Sequence, residues 1–89
     1  EQGAMMLGTD TSGLEYKPHP AEADAYADKY KSFMPCHNYL LIEQGVHIAE
    51  FHYLEDLAAE KAYDFCYVCT TAKIKGTTAG FTLRPIALR

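Results

Sequence analysis

The sequence predicts a chain of mixed helix and strand, α/β or α+β, and three observations carry that reading. An Ala-rich stretch, 21–30, follows Pro20 and places Glu22 and Asp24 near its start, as helices do. The run Val46, His47, Ile48, Ala49, Glu50, Phe51 alternates in the manner of a strand. Two further strand-like runs, 63–71 and Leu83–Leu88, flank a loop, 75–80, that contains Gly76 and Gly80.

Each element has its own cause. Residues 4–7 are apolar and form a predicted short strand, which ends in the loop 8–13, rich in glycine and small polar residues. Residues 16–20 carry Pro18 and Pro20 and are extended or irregular. Tyr26, Tyr30 and Phe33 fall at i, i+4 and i+7, an aromatic stripe of the kind that covers a core. A second helix is expected over 36–44, with Pro35 before it and Gly45 as its C-cap. Strand 46–51 then puts Val46, Ile48 and Glu50 on one face. A short helix over 54–60 precedes the last two strands. The order β-α-α-β-α-β-β leaves the sheet order open.

The chain has 89 residues, one domain at most. A domain of that size buries roughly 60–65% of its unfolded surface, so its core is thin. Seven Tyr and four Phe with no Trp suit half-buried positions, where a phenol keeps its tip wet. The net charge is −4 and no basic stripe occurs, which argues against nucleic acid as a partner. No apolar run reaches the roughly 18 residues of a membrane span. The start, Glu1 to Met6, lacks the basic and apolar regions of a signal peptide. It also lacks an initiator Met, which adds the expectation of a processed, trimmed or partial chain.

Three cysteines, Cys36, Cys66 and Cys69, are an odd number, which argues against a disulfide framework and for a reducing, cytoplasmic setting. Cys66 and Cys69 form a C-x-x-C, but in a strand their side chains point to opposite faces. They are expected to pack as small apolar residues rather than grip one metal.

Glu50 is the most informative position. A carboxylate on the inward face of a strand is costly unless it is paired or binds a cation. His37 opens the preceding helix. From His37 to Gly45 is about 12 Å of helix. From Val46 to Glu50 is about 13 Å of strand. A tight turn at Gly45 therefore returns Glu50 level with His37, where the two can share a cation. A lone His at a helix start commonly makes a local hydrogen bond, and a lone Glu near a strand end is commonly solvated. Spacing alone leaves both readings open. His47 and His52 are weaker candidates, on the other face or beyond the strand, and His19 between two prolines is expected in an exposed loop.

The segment from His37 to Glu50 (His37, Leu40, Leu41, Gly45, Ile48, Glu50) resembles the H-x-x-L-L…G-x-x-I-x-E block of the metal-dependent cyclase family, which includes bacterial kynurenine formamidases and isatin hydrolases. Other segments are similar in the same order: Gly8-Thr9-Asp10 to the family's G-x-D loop, and Leu54-Glu55-Asp56-Leu57 to its L-x-x-L helix. Phe65 to Gly76 resembles its penultimate strand and loop, and Gly80 to Ala87 its terminal G-S-P-V-R-P-I-A. Phe51 stands where the family usually has Asn, Ser12-Gly13 replaces Pro-Ser, Thr71-Ala72 replaces Pro-Leu, and Phe81-Thr82 replaces Ser-Pro.

The resemblance implies that residues 1–89 are a single partial domain, the C-terminal portion of a swivelling β/β/α three-layer fold. It implies a divalent metal, zinc or manganese, with His37 and Glu50 among its ligands. It implies a small-molecule amide substrate, an N-formyl arylamine or a cyclic amide, and a homo-oligomer or a partner chain carrying the N-terminal part. The family's H-x-G-T-H-x-D signature, which supplies the other ligands and usually a catalytic His, does not occur in these residues. A catalytic zinc takes about three protein ligands and an open position, so hydrolysis by this chain alone is not expected. The alternative is a small non-enzymatic binding or assembly module that keeps the framework.

Overall fold

A parallel strand pair organises the first half of the chain. A computed structural model describes residues 3–77 and 80–89. Glu1 and Gln2 of the predicted N-terminal segment, and Thr78 and Ala79 of the predicted 75–80 loop, lie outside the described residues. The chain mixes helices with two small sheets, an α/β composition, and divides into two compact units, Glu1–His52 and Tyr53–Arg89.

In the first unit, strand β1 (Met6–Gly8) pairs with β2 (His47–Ala49) in the register Met6 with His47, Leu7 with Ile48, Gly8 with Ala49. Parallel strands require a long crossover, and residues between them supply it with two helical segments. A 3₁₀ turn, Pro20–Glu22, leads into helix α1, Ala23–Tyr30. The exposed His19 caps that turn, its Nδ1 accepting the Ala21 N–H at 3.3 Å. Lys31, in the left-handed conformation, ends α1. The aromatic stripe is therefore rearranged: Tyr26 packs against Tyr30 at 4.8 Å between ring centroids and against Tyr16 at 5.7 Å, while Phe33 lies past the helix end.

Helix α2, Pro35–His37, continues directly into a π-helical segment, Asn38–Glu43. The wider turn is closed by the Gln44 N–H donating to the Tyr39 carbonyl at 2.9 Å. Gly45, at φ 66°, then reverses the chain into β2, as a residue without Cβ does most easily. Strand β2 is shorter than the predicted 46–51 because Phe51 adopts a left-handed φ of 59°, which strand pairing cannot accommodate. Val46, Ile48 and Glu50 are half-buried, but the one fully buried residue among those described is Ala49, on the opposite face. Its carbonyl accepts the Thr9 N–H at 2.9 Å, just beyond its pairing with Gly8.

In the second unit, helix α3 (Glu55–Ala59) precedes an antiparallel hairpin of β3 (Cys66–Thr71) and β4 (Leu83–Leu88). Val68 lies opposite Ile86 and Cys66 opposite Leu88, so these four share a face. Cys66 is exposed and Cys69 half-buried, the alternation expected of thiols three apart in a strand, and all three cysteines are free. Arg89 forms an ion pair with Glu60. No helix among the described residues is long and apolar enough to cross a membrane.

Candidate functional site

The loop between β1 and α1 is tied to the end of β2 by backbone hydrogen bonds. The Phe51 N–H donates to the Thr11 carbonyl at 3.1 Å, and the His52 N–H to the Thr9 carbonyl at 2.9 Å. That attachment carries the loop past Glu50: a Cβ added to Gly13 would lie 3.7 Å from Glu50 Oε1. The same loop then delivers Glu15 to the start of α2.

His37 and Glu50, the two residues expected to converge, do so. Nε2 of His37 lies 3.4 Å from Oε1 of Glu50, and both side chains are largely covered. Charge pairing is within reach at that distance if the ring is protonated, yet Oε1 of Glu50 is buried and receives no hydrogen bond among the described residues. A separation of 3.4 Å exceeds the usual N–H···O length of about 2.7–3.2 Å. It matches the spacing of two donors on one tetrahedral ion, about 3.3–3.6 Å for bonds of about 2.0–2.2 Å. An orphaned carboxylate oxygen beside an imidazole nitrogen is thus a donor pair that fits two positions of a divalent site.

Glu15, which no motif or spacing singles out, joins the pair. Its Oε1 accepts the His37 backbone N–H at 2.7 Å and contacts His37 Nδ1 at 2.9 Å, and its Oε2 accepts the Cys36 N–H at 3.1 Å. Burial pushes the Glu15 carboxyl up, but the hydrogen bonds from His37 and Cys36 outweigh it and hold the group below its ordinary value of 4.5. Burial, followed by the neighbouring Glu15, pushes the Cys36 thiol up.

A cavity of about 520 Å³ opens beside the pair. His37 and Glu50 form one part of its lining, and Tyr16, Pro18, Phe33 and Met34 form an apolar wall. That volume is within the roughly 300–1,000 Å³ typical of small-molecule sites. The weaker candidates do not join the cluster: His47 is exposed opposite Met6, and His52 lies against Gly8. No group of three or more His, Cys, Asp or Glu side chains that could hold a metal occurs among the described residues. Comparison with known proteins returns no matching family model, no matching curated protein and no matching solved structure.

Proposed function

We propose that this chain contributes two ligands, His37 and Glu50, to a divalent zinc or manganese site, as the C-terminal portion of a metal-dependent amide hydrolase of the cyclase and kynurenine formamidase kind. The observation that carries the reading is the 3.4 Å approach of His37 Nε2 to a buried Glu50 oxygen that has no hydrogen-bond donor among the described residues. The motif resemblance of the 37–50 segment supports it independently of that geometry.

In this reading His37 binds through a neutral Nε2 and Glu50 through its carboxylate. When bound, the metal supplies Lewis acidity, polarising a carbonyl and making water a better nucleophile at neutral pH. The apolar wall of Tyr16, Pro18, Phe33 and Met34 offers a seat for the body of an N-formyl arylamine or cyclic amide. The remaining ligands and the general base come from a segment carrying H-x-G-T-H-x-D, in a cytoplasmic homo-oligomer or a partner chain.

A second reading is favoured by the hairpin, whose Val68, Ile86 and Leu88 are all exposed: a non-enzymatic assembly module. A formamidase assay separates the two. The chain alone is expected to leave N-formylkynurenine intact. Mixed or co-expressed with a polypeptide carrying H-x-G-T-H-x-D, it is expected to give metal-dependent turnover that His37→Ala abolishes. Appreciable turnover by the chain alone would refute the argument from missing ligands, and no turnover in the mixture would favour the assembly module.

A further inference from the structure

Resting on the metal reading of His37, we infer that Glu15 is a positioning residue that fixes the His37 ring as its Nδ1–H tautomer, leaving Nε2 bare and turned to Glu50. An ionised carboxylate only accepts hydrogen bonds, so a 2.9 Å contact from Glu15 Oε1 to Nδ1 requires the proton on Nδ1. In a neutral ring the other nitrogen then carries a lone pair, and that nitrogen is the one 3.4 Å from Glu50. A histidine that binds metal through one nitrogen commonly gives its other N–H to a carboxylate, which sets ring angle and basicity.

Glu15 also caps α2, because its two oxygens accept the N–H groups of Cys36 and His37. Capping explains those two bonds but not the third, to the ring. Both side chains are well covered, 9% exposed for Glu15 and 19% for His37, so water does not readily replace the contact. The loop that carries Glu15 is pinned to the β2 end by the Thr9 and Thr11 backbone bonds. One segment therefore orients His37 directly while lying against the Glu50 carboxylate at Gly13.

The test uses the full 89-residue chain, metal-free, with ring-¹⁵N histidine. Two-bond ¹H–¹⁵N spectra at pH ~8.5, two units above the ordinary His value of ~6.5, read the neutral tautomer of His37 directly. The wild type is expected to show Nδ1–H. Glu15→Ala is expected to revert to Nε2–H, the form an unconstrained imidazole favours, and to lose about 10–100-fold in zinc affinity. Glu15→Gln, whose amide oxygen still accepts from Nδ1, is expected to restore the tautomer and most of the affinity. Observing Nε2–H at His37 in the wild type overturns the proposal with no variant needed, as does a Glu15→Ala chain that keeps Nδ1–H. If no chain binds zinc but the tautomer switches as expected, Glu15 positions His37 and the metal reading fails instead.

Discussion

Oε1 of Glu50 faces Nε2 of His37 across 3.4 Å and accepts no hydrogen bond among the described residues, so a buried acceptor stands unsatisfied beside an imidazole nitrogen. Such an arrangement costs stability in the absence of a cation, because a buried polar atom without a partner loses its water for nothing in return.

Glu50→Gln is expected to stabilise the metal-free chain while weakening metal binding. The Gln amide can donate to the bare Nε2 of His37, replacing an orphan acceptor with a hydrogen bond worth about 1 kcal/mol. Because the Glu50 side chain remains 26% exposed, the gain is no larger than that. Thermal melts in chelator check it: a higher Tm than wild type is expected, and a lower one would mean the carboxylate already has a stabilising partner.

Phe51 is expected to be a point of backbone strain. Its φ of 59° is left-handed, which costs a residue with a Cβ about 1–2 kcal/mol, and its ring is 73% exposed and so loses little when removed. Asn tolerates that conformation better, and Gly adopts it freely. Phe51→Asn and Phe51→Gly should each raise stability by about 0.5–1 kcal/mol in denaturant titrations. A loss in both would mean that the ring makes contacts of greater value than the strain.

Tyr67 gives the chain an alkaline limit. Burial, then the hydrogen bond and charge of Cys69, push its phenol up to about 12 from an ordinary 10.0. A folded value above the unfolded one contributes stability that is intact below pH ~10 and is lost as pH rises through ~12. Ultraviolet titration should find one tyrosine ionising last, near unfolding, and Tyr67→Phe should remove that step. A tyrosine spectrum with no late step would contradict this.

The hairpin is expected to drive association. Cys66, Val68, Ile86 and Leu88 form one exposed face, and an isolated two-stranded hairpin is marginally stable in water. Light scattering over a concentration series should show mass rising with concentration, and Val68→Lys with Ile86→Lys should suppress it. A well-dispersed monomer throughout would favour a self-sufficient small module over a portion of a larger fold. Tyr26, Tyr30 and Phe33, expected from spacing to form one patch, are a weaker candidate because Phe33 leaves the stripe.

The convergence of His37 and Glu50 was legible in the sequence because it depends on local lengths. Helix rise, strand rise and one glycine turn bring residue 50 back, and the two side chains meet although Asn38–Glu43 is π-helical. The hairpin strands were legible from composition, and the opposite facing of Cys66 and Cys69 from the two-residue strand period. Glu15 was not legible, since a lone carboxylate in an irregular loop has no periodicity and its partner lies 22 residues on. The π-helical turn was hidden for a related reason: a repeat of 3.6 residues does not reveal one widened turn. The early end of β2 follows from the φ of Phe51, which no hydrophobic pattern encodes.

The central claim, that His37 and Glu50 share one cation, is tested most directly by calorimetric zinc titration of the wild-type chain, His37→Ala and Glu50→Ala. The wild type is expected to bind a single zinc weakly, as two ligands do without a third, and each substitution is expected to abolish the signal. Three indistinguishable titrations, whether all bind or none does, would contradict the claim.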